Sequence, residues 1–159
     1  VLDEEYYKRI EAIQFTMNHD DGNQTGNILE SDIILIGVSR TSKTPTSIYL
    51  ANKGLKTANI PLVNQMEIPK GVIESKKLCV VGLVTEAERL FDIRRNRLNS
   101  FKENVASDYT NLEKIKIEVE QSKKIFKKNN WPIIDVTRKS VEETAASIIK
   151  IYEIKNKNA

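Results

Sequence analysis

The chain has one cysteine, one histidine and one tryptophan in 159 residues, and aromatic side chains make up only 6% of it. One cysteine cannot build a disulfide framework. Cys79, set in Leu78-Cys79-Val80-Val81, reads as a buried strand thiol, which fits a reducing, cytoplasmic setting. No apolar run approaches the roughly 20 residues that a membrane-spanning helix needs, and the acidic start is no signal peptide. Neither charge is in strong excess. The 25 basic and 22 acidic residues leave +3 and are interleaved, without the aromatic-rich basic platform of a nucleic-acid binder. No internal repeat or low-complexity segment is visible. Hydrophobic residues at 40% and charged residues at 30% describe an ordinary soluble globular chain, long enough for one domain with a sizeable core.

Glycine is also scarce, six in all, and one of them organises the chain. Ile33-Ile34-Leu35-Ile36 followed by Gly37 reads as a short strand buried on both faces, the pattern of a parallel sheet. A helix is predicted over Thr44 to Lys53, with Pro45 in its first turn and Gly54 just past its end. Strand, loop, Lys-Thr, helix is a phosphate cradle: the loop and helix amides of Gly37, Val38, Ser39, Arg40, Thr41 and Ser42 face phosphate, Lys43 supplies charge, and Thr44 offers a hydroxyl to magnesium. The match to G-x-x-x-x-G-K-[ST] lacks its second glycine. Ser42 stands there and is expected to keep clear of the conformations that glycine alone tolerates cheaply. The competing reading is a Ser/Thr-rich turn with an exposed lysine.

Around this core the elements alternate. Residues 4–18 form a helix with Tyr6, Ile10, Ile13 and Met17 on the face turned to the domain. It ends at His19-Asp20-Asp21-Gly22, which is either a plain helix end and turn or an acid/base or metal site. Strands are expected over Asn59 to Val63, over residues 76–84 (apolar from Leu78 onward), and over Pro132 to Val136. The Gly82–Thr85 turn is a second strand-to-helix junction whose amides offer another anion seat, with Thr85 and Glu88 as a capping box. The helix after it carries Arg89, Arg94 and Arg97, either a solvated face or guanidinium groups for phosphate. The next helix, about Thr110 to Lys128, buries Leu112, Ile115, Val119 and Phe126. Asp135, at a strand end, is the candidate magnesium carboxylate. Ser140 and Glu143 cap a last helix that buries Val141, Ala145, Ile148, Ile149 and Tyr152. The fold implied is α/β, a three-layer P-loop kinase-like domain with a mostly parallel sheet, its ligands at the carboxyl ends of the strands. Residues 1–27 read as a helix and polar loop, and 28–159 as the phosphotransferase domain. The chemistry is phosphoryl transfer, with Lys43 catalytic and an aspartate, Asp20 or Asp21, accepting the hydroxyl proton.

The stretch Gly-Val-Ser-Arg-Thr-Ser-Lys-Thr-Pro-Thr-Ser-Ile-Tyr-Leu-Ala (37–51), followed by Ala58-Asn59-Ile60-Pro61-Leu62-Val63, closely resembles the bifunctional regulatory proteins of pyruvate, phosphate dikinase and of phosphoenolpyruvate synthase. The resemblance runs from Arg9–Ile13 through His19–Gly22 to Val141–Glu143, and members with serine before the P-loop lysine are familiar. It implies a further N-terminal region before Val1. It implies phosphorylation of a threonine on the dikinase or synthase with ADP as donor, and removal of that phosphate by inorganic phosphate with release of pyrophosphate. It favours a catalytic His19-Asp20-Asp21 and, because residues 82–97 are similar to a family block, a phosphate role for the arginines. It also suits a cytoplasmic homodimer, and Thr41-Ser42 looks more like the dikinase branch. A small-metabolite kinase and a non-catalytic nucleotide sensor are the alternatives.

Overall fold

The computed structural model describes residues 4–18, 28–38, 41–62, 70–74, 78–100 and 111–157. Among these residues four strands, β1 (Ile33–Gly37), β2 (Thr57–Pro61), β3 (Cys79–Val84) and β4 (Ile133–Asp135), form one sheet of order β2-β1-β3-β4, parallel at every pairing. All five residues of β1 are buried, as its unbroken aliphatic run requires of a strand covered on both faces. Alternation then sorts the core. Ile34, Ile36, Ala58, Ile60, Val80 and Val84 lie with Phe126 on one face, and Ile33, Leu35, Cys79, Val81 and Leu83 lie with Leu50, Ala145 and Ile148 on the other. Helices α2 (Lys43–Ala51) and α6 (Val141–Lys157) cover the second face. Helix α5 (Leu112–Lys128), the short α3 (Lys70–Glu74) and a single 3-10 turn (Ile28–Glu30) contribute to the first, and α4 (Ala87–Ser100) packs on α5. This is the predicted three-layer α/β architecture. Burial pushes the Cys79 thiol up to about 11. It is therefore neutral at physiological pH, and the stability tied to its protonated form is lost only as pH climbs from the ordinary thiol range toward that value.

Several boundaries move for local reasons. Helix α2 ends at Ala51, two residues early, and Gly54 (φ 87°) turns the chain so that the Leu55 amide donates to the Leu50 carbonyl at 3.2 Å. Strand β3 ends at Val84 as expected, but the turn to the next helix begins only after it and not at Gly82, which is strand interior and donates its amide to Pro132 O at 2.8 Å. The following helix starts at Ala87, with the Glu86 carbonyl accepting from the Leu90 amide, so Glu86 and not Thr85 holds the cap position. Ser140 caps the last helix as expected, the Glu143 amide donating to Ser140 Oγ at 3.1 Å, while the Glu143 carboxylate accepts from the Ser140 hydroxyl at 3.3 Å.

The N-terminal helix α1 (Glu4–Asn18) docks by a different face from the one its apolar spacing predicts. Ala12 and Thr16 are buried, whereas Tyr6, Ile10 and Met17 are exposed and Ile13 is half-buried. The reason lies at the sheet edge. Thr57 of β2 turns its amide away from β1, and Thr16 Oγ1 accepts it at 3.2 Å, which needs small residues for close approach. Glu11 and Lys56 add an ion pair at 2.8 Å that holds the Glu11 carboxyl below its ordinary range.

Candidate functional site

The chain leaves β1 by α2 on one face of the sheet to reach β2, and leaves β3 by α4 and α5 on the other face to reach β4. The two crossovers diverge between the carboxyl ends of β1 and β3, the topological switch point at which open α/β sheets form their ligand crevice. Gly37 ends β1 at that point. A Cβ built there would lie 2.7 Å from Thr41 Oγ1 and 2.8 Å from the Leu83 carbonyl oxygen of β3, so no side chain fits.

The Val38 carbonyl accepts from Thr41 Oγ1 at 2.9 Å and from Lys43 Nζ at 3.0 Å, and the Val38 side chain packs with Leu90, Ile115 and Val119 of α4 and α5. Lys43 is only 4% exposed. The solvated lysine of the competing reading is therefore not what the fold holds: the ammonium is folded across the loop at the head of α2, where helix amides also point. Thr44 is half-buried in the first helical turn.

Ser42 corrects an expectation. It sits at the helix N-cap in the left-handed region, φ 62° and ψ 26°, with no side-chain cap hydrogen bond. The loop thus keeps the backbone shape that glycine would adopt at lower cost, and the serine bears roughly 1–2 kcal/mol for it. Ser42→Gly recovers that strain but adds about 0.5–1 kcal/mol of unfolded-state freedom. We expect a net gain of about 0.5–1 kcal/mol, read as a higher urea midpoint at unchanged slope; a lower midpoint would show that the serine side chain contributes a contact.

The remaining predicted residues are dispersed. Arg94 is not on an outer face: it is 1% exposed and its Nη2 donates to Glu118 Oε2 of α5 at 3.0 Å, bracing α4 against α5 behind the Val38 cluster. Arg89 is exposed. His19, Asp20, Asp21, Ser39, Arg40 and the side chain of Arg97 lie outside the described residues. Asp135 ends β4, two strands from β1, which is about 10 Å at the usual strand spacing. Its carboxylate accepts from the amide (2.9 Å) and hydroxyl of Thr137, whose oxygen accepts the Glu86 amide at 2.9 Å. At the second junction the Gly82 amide is therefore already engaged, and so is that of Glu86 just after it. Beside them a cavity of about 340 Å³ opens between β4, α4 and α5, lined among others by Thr85, Glu88, Lys116, Val119 and Asp135.

Magnesium binds through one or two protein oxygens together with phosphate oxygens and water; the close approach at Gly37 and a half-buried threonine, Thr44, in the first turn of α2 suit such a site. Asp135, turned onto Thr137, fits less well. Among the described residues no three His, Cys, Asp or Glu side chains cluster as a metal site, and no helix is long and apolar enough to cross a membrane.

Residues 1–149 match a protein-family model described as kinase/pyrophosphorylase. The chain is 66% identical over 158 residues to a pyruvate, phosphate dikinase regulatory protein of Pelagibacter ubique, covering 99% of this chain and 57% of that relative. It is 54% identical over 151 residues to one from Erythrobacter litoralis (95% and 54%) and 53% identical over 153 residues to one from Sphingopyxis alaskensis (96% and 57%). The chain thus spans a little over half the length of the curated relatives it matches.

Proposed function

We propose, from the premise that this chain belongs to the kinase/pyrophosphorylase family, that it carries the nucleotide- and phosphate-handling part of a bifunctional regulator of pyruvate, phosphate dikinase. In one direction the threonine hydroxyl of the dikinase attacks the β-phosphorus of ADP, the bridging P–O bond breaks, AMP leaves, and the hydroxyl proton passes to Asp20 or Asp21. In the other, inorganic phosphate attacks phosphothreonine; pyrophosphate leaves and the threonine hydroxyl regains its proton. The observation that carries this reading is Gly37 at the switch point, with the Lys43 ammonium at the head of α2 held on Val38 O.

Catalysis of this type is mostly positioning and charge neutralisation. Phosphate arriving over the loop replaces the Val38 carbonyl as partner of Lys43 Nζ and meets the first amides of α2. A magnesium ion, when bound with the nucleotide, would neutralise phosphate charge, and Thr44 would hold it through its hydroxyl. Arg89 and Arg97 are proposed for the second phosphate, while Arg94 acts from behind through Glu118. The form acting on the dikinase is proposed to be a cytoplasmic homodimer.

Isothermal titration of the 159-residue chain with ADP, ATP and AMP in the presence of magnesium tests this, with Lys43→Ala in parallel. The expected result is ADP binding that weakens by at least tenfold in the variant, since a charge-assisted bond to phosphate is lost. Clearly tighter binding of ATP than of ADP would instead favour a small-metabolite kinase.

A further inference from the structure

A buried asparagine in a parallel strand is costly unless it is bonded, because an unsatisfied amide loses about 1–3 kcal/mol. Asn59 is such a residue: it is 1% exposed in the middle of β2, opposite Leu35 of β1, on the face that α2 covers. Its Nδ2 donates to Ser47 Oγ at 3.2 Å. Ser47, fully buried on α2, donates in turn to the Thr44 carbonyl at 2.8 Å. A serine hydroxyl has one proton to give, and here its direction is fixed because the amide N–H occupies the oxygen from the other side. A three-member polar chain therefore runs from the second strand to the first turn of α2, the turn that follows Lys43.

We infer that Asn59 and Ser47 are positioning residues for phosphate. They hold the first turn of α2 so that its amides and Lys43 meet the terminal phosphate of a nucleotide, and they do not touch that ligand themselves. An apolar pair would pack this face of the sheet equally well, as the neighbouring Leu35 and Leu50 do. What the polar pair adds is direction, since a hydrogen bond fixes one arrangement where apolar contact permits several. This inference rests on the phosphate-cradle reading above and extends it to a strand with no direct part in the loop.

The test uses the 159-residue chain and the double variant Ser47→Ala/Asn59→Leu. Removing both partners for apolar groups of similar shape leaves no orphaned donor and can be nearly neutral for stability. The readout is the ratio of Kd for AMP to Kd for ADP, which isolates the second phosphate. In the unaltered chain ADP is expected to bind at least tenfold more tightly than AMP. In the double variant that ratio is expected to fall by about fivefold or more, with AMP affinity and the thermal midpoint little changed. A ratio that stays at its original value would overturn the inference, and so would an equal weakening of both nucleotides, which would mark a merely structural role. If the unaltered chain does not distinguish ADP from AMP at all, the cradle reading itself falls, and this inference with it. Ser47→Thr with Asn59 unchanged keeps the hydroxyl and is expected to retain the original ratio.

Discussion

Phe126→Ala is expected to destabilise the domain by about 3–5 kcal/mol, the range for deleting a buried phenylalanine whose surroundings relax only in part. That is a large share of the roughly 5–15 kcal/mol by which domains are stable. Phe126 is fully buried on α5, and its ring lies against Gly82 of β3: a Cβ at position 82 would meet Cδ2, Cγ and Cε2 of the ring at 2.4–2.6 Å. Gly82→Ala alone therefore overpacks the site and should cost about 1–3 kcal/mol. The two changes are not independent. Once the ring is gone the new methyl fills part of the space it left, so the double variant should lose less than the sum of the single losses, by at least about 1 kcal/mol. Chemical denaturation of the four proteins completes the cycle; simple additivity would mean that helix and strand do not meet through this pair.

The second large effect concerns binding. Gly37→Ala places a methyl against the Leu83 carbonyl at 2.8 Å and Thr41 Oγ1 at 2.7 Å. The hydroxyl can swing aside, but a backbone carbonyl in a paired strand cannot, so β1 and β3 must part at the mouth of the crevice. We expect a loss of about 1–3 kcal/mol in stability and at least a tenfold loss of ADP affinity. Gly54→Ala is the control. Its Cβ would meet nothing closer than 3.8 Å, but its φ of 87° carries the left-handed penalty of about 1–2 kcal/mol. It should lower stability by a similar amount and leave ADP binding unchanged. Equal effects of the two substitutions on ADP affinity would show that binding follows global stability and that the crevice at Gly37 is not special.

These two glycines also mark where sequence reasoning reached and where it stopped. Gly37 was legible because an aliphatic run, a glycine and a Lys-Thr pair stand at fixed spacing, and such spacing is a local property. Gly82 falls in the expected strand and also opens the expected turn, and nothing near it in the chain tells that a ring 44 positions later lies over it. The arginines repeat the lesson. Helical spacing places Arg94 and Arg97 on one side of a helix, but only the packing of α4 on α5 turns Arg94 inward to Glu118. Periodicity likewise pointed to a single stripe on α1, Tyr6, Ile10, Ile13 and Met17, and the docking of Ala12 and Thr16 instead was decided by the edge of β2, whose outward amide needed an acceptor at close range.

By itself, then, the sequence determined the α/β class, the buried parallel strands, the positions of Lys43 and Thr44 at the head of a helix, and the inner face of α5. These follow from hydrophobic period, helix ends and short-range spacing. The tertiary structure alone decided the strand order, and with it the switch point between β1 and β3. It also decided the left-handed turn at Ser42, the burial of Lys43 on Val38 O and the chain from Asn59 through Ser47 to Thr44. Each of these joins groups that the local pattern leaves independent, and only packing fixes which partner a buried polar group receives.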